Sequence, residues 1–339
     1  MRLGIIGLGR AGSWHLENWQ QVEGTTVIAA CDPSPASRRK ARELGLKAYE
    51  DPMDMIAREK LDAVDIVTPP AQHAPIAVAC LERGLHVLCE KPLATTVGAA
   101  LRMLRTAART RRQLVLATKF RHVPDLATAR ALVAEGAIGE PVGFEIDFSS
   151  MVDMTGRWNA QRPLAGGGVI IDNGCHAFDV VAYLFGTVTR VLATRLKQVQ
   201  EMGVEDSATL LVAAGKGLIG RIEVSWSLAT GRANYVTVYG SKGTIEVGWR
   251  GSFLREAGKA PVQIGPGYDK NDAHRRMFGR FAGLVRGEGR PWITAGECLR
   301  TVAAVDAAYR SLAWGGWVQV DMVGMRTART GLLAQAQQA

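Results

Sequence analysis

The chain has 339 residues, of which 47% are hydrophobic and 22% charged, an ordinary balance for a water-soluble globular protein of about two domains. No stretch approaches the ~20 uninterrupted apolar residues of a membrane span, and MRLGIIGLGRAG runs straight into a strand without a cleavable leader, so a cytoplasmic protein with no membrane partner is expected. The net charge of +9 comes from 41 basic and 32 acidic residues. The basic residues fall in short clusters without interleaved aromatics, as in Arg38-Arg39-Lys40, which argues against a nucleic-acid partner.

Strand and helix signals alternate through the first 120 residues. Apolar runs at Leu3 to Ile6, Val27 to Cys31, Ala63 to Val67, His86 to Cys89 and Leu114 to Thr118 predict five strands. Helical segments are expected between them at 13–22, 36–44, 73–83 and 97–110. Short apolar strands separated by helices of this length make a doubly wound parallel sheet covered on both faces. A helix over 124–135 follows, and then the period changes. FEIDF, TLLVA, RIEVSWS, YVTVYG and TIEVG alternate apolar and polar residues, which predicts a mixed, largely antiparallel sheet with one buried face. The expected division is a Rossmann domain over 1–120, an α+β domain over 121–325 and a C-terminal tail over 326–339. Five scattered cysteines with no CxxC pair point neither to disulfides nor to zinc.

Gly7-Leu8-Gly9-Arg10-Ala11-Gly12 matches GxGxxG between a predicted strand and a predicted helix, the context in which the motif cradles a dinucleotide pyrophosphate. Helix N-terminal N–H groups there face the phosphate charge. Asp32 lies 20 residues after Gly12, at the end of the second strand. A carboxylate at that place accepts ribose hydroxyls and repels a 2′-phosphate, which favours NAD. Arg38 and Arg39 keep NADP open as the alternative.

Beyond these motifs come VTPPAQH at 67–73, GLHVLCEKPLA at 84–94, EGAIGEP at 135–141, GGGVIIDNGCHAFD at 166–179 and GSKGTIEV at 240–247. In this order and spacing the chain resembles the Gfo/Idh/MocA oxidoreductases, the glucose–fructose oxidoreductase and inositol dehydrogenase family. The resemblance implies a Rossmann domain followed by an open-faced sheet that lines the substrate pocket and forms a homodimer or homotetramer contact. It marks Lys91 as the active-site lysine, with Glu90 near the cofactor, and His176 as the catalytic histidine with Asp172 beside it. Thr68, Pro69 and His73 match a loop used around the cofactor, and Trp158 lies in a segment that contributes to the substrate pocket.

The residue types suit these roles. An ammonium group at a strand end bridges ribose and substrate hydroxyls or stabilises a developing alkoxide. An imidazole transfers protons near neutral pH. Asp172 and His176, four residues apart, share a face if both lie on an α-helix. The three glycines at 166–168 would let backbone approach a ligand. Arg121, ending the fifth strand, is a further substrate candidate. No third ligand at a useful spacing supports a metal site.

The expected function is NAD(P)-dependent hydride transfer between nicotinamide and a secondary alcohol of a sugar, cyclitol or sugar derivative. Two alternatives share the fold. One is redox-neutral elimination or glycoside cleavage assisted by NAD; the other is a non-catalytic NAD-binding sensor, against which the Lys91, Asp172 and His176 set argues.

Overall fold

The structure, a computed structural model, describes residues 1–320, so the tail expected at 326–339 lies outside the described residues. The chain divides into two compact units. The first holds Met1–Thr118 together with His274–Cys298, and the second holds Lys119–Ala273 and the described residues from Leu299 onward. The segment 274–298 therefore packs with the nucleotide-binding half, where the sequence reading had placed it in the second domain.

The first unit is built on β1 (Arg2–Ile6), β2 (Thr26–Cys31), β3 (Lys47–Tyr49), β4 (Ala63–Ile66), β5 (His86–Cys89) and β6 (Leu114–Leu116). All pairings are parallel and the strand order is β3-β2-β1-β4-β5-β6. This is the doubly wound order whose switch point, between β1 and β4, opens toward the strand C-termini. Five of the six strands show as apolar runs, including the three-residue β6, Leu-Val-Leu. The equally short β3, Lys-Ala-Tyr, has no apolar run and is not among the five expected strands. Helices α1 (Arg10–Trp19), α2 (Pro35–Glu43), α3 (Pro52–Arg58), α4 (His73–Glu82) and α5 (Val97–Thr110) connect the strands. Leu3, Ile5, Val64, Ile66, Val87 and Leu88 are fully buried, as central parallel strands require. From 274–298, Phe278 stacks flat on Trp19 at 4.3 Å between ring centroids, and Phe281 meets the same ring edge-on at 6.2 Å.

The second unit carries a nine-stranded sheet made of β7 (Pro141–Ser149), β8 (Val188–Arg195), β9 (Ser207–Ala214), β10 (Leu218–Ser225), β11 (Asn234–Gly240), β12 (Gly243–Gly248), β13 (Ser252–Glu256), β14 (Val262–Gly265) and β15 (Val318–Gln319). The order is β14-β13-β12-β11-β7-β10-β9-β8-β15. Every pair is antiparallel except the central β7–β10. One face buries Phe144, Ile146, Ile222, Val236 and Val238. The other presents Glu145, Arg221, Arg232, Glu246 and Arg255, laced by ion pairs of 2.8 to 3.3 Å. Helix α6 (Pro124–Ala134), the single turn α7 (Arg162–Ala165) and α8 (Cys175–Phe185) belong to this unit. Helices α9 (Lys270–Val285) and α10 (Ala295–Trp314) each contribute residues to both units.

Candidate functional site

In the first unit the Gly-rich turn is shaped for a close anionic ligand. Gly7 has φ +97°, and a Cβ there would run into the carbonyl of Val67. A Cβ on Gly12 would overlap the carbonyl of Gly7, so the third glycine lets α1 sit against the loop. Gly9 differs: nothing lies within 4 Å of the place its Cβ would take. Gly9 is also the N-cap of α1, with no side chain capping the helix and no acidic residue in its first turn. The amides that follow, from Arg10, Ala11 and Gly12, thus begin a helix whose positive end has no side-chain competitor. The residues present therefore fit a dinucleotide pyrophosphate.

Asp32 is buried at the end of β2. Its Oδ2 accepts the Leu8 N–H at 2.7 Å and its Oδ1 accepts the Ser34 N–H at 2.8 Å. The carboxylate is thereby aimed along the Gly-rich loop. Arg38 donates to the carbonyls of Asp32 and Pro33 and pairs with Glu50 at 2.9 Å. A guanidinium so occupied is not presented to a 2′-phosphate. We expect Asp32→Ala to raise the Kd for NAD by about tenfold, the scale of a lost charged hydrogen bond, and that for NADP by less; titration calorimetry with both cofactors checks this.

Around β4 and β5 the residues at 68–73 and 90–92 form one knit. His73 is fully buried between two loop carbonyls, with Nδ1 2.8 Å from Pro92 O and Nε2 2.9 Å from Thr68 O. Burial lowers its pKa. This ring ties the Thr68-Pro69 loop to the Glu90-Lys91-Pro92 turn, and it is closed off from a cofactor, contrary to the contact expected from the sequence. Glu90 Oε2 accepts the Lys91 N–H at 2.9 Å, while Lys91 itself is half-buried.

Behind the turn lies a group that the sequence reading missed. His15, on α1, is 2% exposed, with Nδ1 2.8 Å from Asp65 Oδ2 and Nε2 3.1 Å from Glu90 Oε1. Trp19 Nε1 donates to the same Asp65 oxygen at 2.7 Å. The His274 ring lies 5.4 Å away, edge-on. Burial alone would lower the His15 pKa, but the charge and hydrogen bond of Asp65, and then those of Glu90, outweigh it and hold it at about 10. The ordinary value is 6.5. The stabilisation carried by this proton is therefore complete below pH 6.5 and is lost as pH rises through 10. With Asp65, Glu90 and His274 facing the ring, we expect Tm to fall over that window more steeply in the wild type than in His15→Gln, followed by calorimetry. The signal in the sequence was Asp65 itself, a charge inside an otherwise apolar strand, which must have a partner.

In the second unit, Asp172 sits in a π-helical turn, Ile170–Gly174, that leads directly into α8 with His176 in its first turn. The pair therefore spans a π-to-α junction, so the condition for a shared α-helical face, that both residues lie on one α-helix, is not met. Both side chains are half-buried. Two of the three glycines at 166–168 are packed against protein: a Cβ on Gly167 would strike Tyr309 and one on Gly168 would strike the Glu205 backbone. Buried Glu205 accepts at Oε1 from Gly168 N (3.0 Å), Ile170 N (3.1 Å) and the Tyr309 hydroxyl (2.7 Å), pinning the start of the turn.

His176 stands edge-on to Phe120 at 5.2 Å and to Phe148 at 6.4 Å. Tyr235, Trp249 and Tyr268 extend this aromatic patch, which is assembled from segments far apart in sequence. Trp158 is 38% exposed on a short 3-10 turn. Arg121, expected at the substrate, is instead buried in an ion pair with Asp179 at 2.8 Å and lies over the Tyr183 ring. Desolvating that guanidinium requires the fixed carboxylate beside it. All five cysteines are buried and unbridged, and burial pushes Cys31 and Cys80 up to about 12, far from a reactive thiolate.

Residues 1–118 match the oxidoreductase family with an NAD-binding Rossmann fold, and residues 126–246 match the GFO/IDH/MocA C-terminal domain. Myo-inositol 2-dehydrogenase of Thermotoga maritima is 31% identical over 258 residues, 72% of this chain and 74% of the relative. The chain belongs to the Gfo/Idh/MocA oxidoreductase family. Over a longer span, D-apiose dehydrogenase of Paraburkholderia graminis is 27% identical across 335 residues, 93% of this chain and 88% of the relative. Among solved structures, a levoglucosan dehydrogenase in complex with NADH and levoglucosan superposes with a TM-score of 0.85 at 22% identity, covering 94% of this chain and 99% of that one. As a Gfo/Idh/MocA protein, this chain is an NAD-dependent oxidoreductase acting on CH–OH groups. No helix among the described residues is long and apolar enough to cross a membrane.

Proposed function

We propose that the protein oxidises a secondary alcohol of a cyclitol or sugar, reversibly, with NAD as the acceptor. The observation that supports this most is the match along both units to myo-inositol 2-dehydrogenase. Gly7, Gly9, Arg10, Ala11, Gly12 and Asp32 would hold the dinucleotide, whose nicotinamide supplies hydride acceptance when bound. In this reading His176 takes the hydroxyl proton, Lys91 stabilises the oxygen as negative charge builds, and Asp172 holds a neighbouring hydroxyl in register. Phe120, Phe148 and Tyr235 are buried and brace the His176 ring, while Trp249 and Tyr268, partly exposed, would offer an apolar surface to the C–H face of a ring. We further propose a cytoplasmic homo-oligomer formed through the charged outer sheet face.

The test is a panel of inositols, pentoses and anhydrosugars, each offered with NAD and with NADP, read as nicotinamide reduction. Reduction of NAD by a cyclitol or sugar supports the proposal. Substrate conversion without any accumulation of reduced cofactor would replace it with the redox-neutral reaction.

A further inference from the structure

The buried ring of His15 has no part in the chemistry just described, yet it contacts the turn that carries Lys91. We propose that His15 is a positioning residue, which fixes the Glu90 carboxylate and through it the Glu90-Lys91-Pro92 turn against the helix that cradles the cofactor. This rests on the reading of Lys91 as the group that stabilises the substrate oxygen.

The chain of contacts is short and lies within one unit. Helix α1 begins with the amides that follow Gly9 and carries His15 in its second turn. The ring's Nδ1 is spent on Asp65 at 2.8 Å, a carboxylate with no exposure, at the middle of the sheet. Its Nε2 reaches Glu90 Oε1 at 3.1 Å. The other oxygen of Glu90 accepts the backbone N–H of Lys91 at 2.9 Å. Both oxygens of Glu90 are therefore engaged, one by α1 and one by the lysine's own peptide. A carboxylate bound on two sides cannot swing without moving one of its partners. The side chain of Glu90 is 16% exposed, so it is not free to exchange this bond for water at little cost.

The same atoms invite a second reading. His15, Glu90 and His274 bring one ligand atom each within 4.8 Å of one another, and a histidine backed by a carboxylate is common around metals. The charge arrangement favours the proton. With a carboxylate on each ring nitrogen, the imidazolium satisfies both at once, whereas a metal on Nε2 would have to displace a proton that both carboxylates hold.

Asparagine and glutamine separate the two arms of the ring. An asparagine amide stands close to the place of Nδ1 and keeps the Asp65 bond; a glutamine amide reaches toward the place of Nε2 and keeps the Glu90 bond. We expect His15→Asn to lower kcat by about tenfold, and His15→Gln to recover most of that loss, with the Kd for NAD within about threefold of wild type in both. A purely structural role predicts the reverse order, because Asp65 is the more deeply buried partner. Wild-type kcat in His15→Asn, or a kcat that tracks Tm across the two variants, would overturn the proposal. So would a stoichiometric divalent ion in the purified wild type, by elemental analysis, that is lost in either variant. Lys91→Met, measured alongside, separates the failures. If it stays active, the reading of Lys91 falls and this proposal with it; if it is inactive beside a fully active His15→Asn, this proposal alone falls.

Discussion

Replacing Lys91 by methionine is expected to lower kcat by roughly 10²–10³-fold, the usual loss when one preorganised donor to a developing oxyanion is removed. Methionine keeps the length and apolar stem of the side chain and removes only the charge and its donors. Lys91 is half-buried at the end of β5, and its N–H is held by Glu90, a backbone bond that the methionine variant keeps. Folding, read as Tm, should be close to wild type. Affinity for NAD should change by only several-fold, because the pyrophosphate and ribose contacts are expected from the Gly7–Gly12 loop and Asp32. If kcat is unchanged, Lys91 has no part in the reaction.

His176→Ala should cost roughly 10²–10⁴-fold in kcat, the range for a lost general base, and should flatten the pH dependence of turnover. The NAD site should be untouched, since its expected contacts belong to the first unit and His176 to the second. The main risk is packing, because the ring meets Phe120 and Phe148 edge-on. His176→Gln, which keeps more of that volume, is the control. Loss of turnover in both variants with intact NAD binding supports the proton-transfer role. Full recovery in the glutamine variant would reduce His176 to a packing residue.

The parts of the molecule that could be read from sequence are those carried by local pattern. GxGxxG, Asp32 and the apolar runs are short-range features, and the parallel strands were placed to within a residue or two, except β3. Lys91, Asp172 and His176 are singled out by the resemblance of their contiguous motifs to the family. What could not be read depends on segments that meet only after folding. Arg121 looked available because its partner Asp179 lies 58 residues away. Gly167 and Gly168 looked like room for a ligand because Tyr309 and Glu205, which fill that room, come much later in the chain. Asp65 needs a buried partner, but that partner, His15, lies 50 residues earlier in the chain. The π-turn that carries Asp172 has no sequence periodicity of its own.

The return of 274–298 to the first unit bears on how this protein can be taken apart. A truncation after Thr118 would leave Trp19 without the Phe278 and Phe281 rings that cover it, and His15 without its neighbours on α9. The cofactor half is thus not a cassette that ends where its parallel sheet ends. Among the described residues, a chimera meant to exchange cofactor preference within this family has to transplant two stretches of chain, 1–118 and 274–298, rather than one.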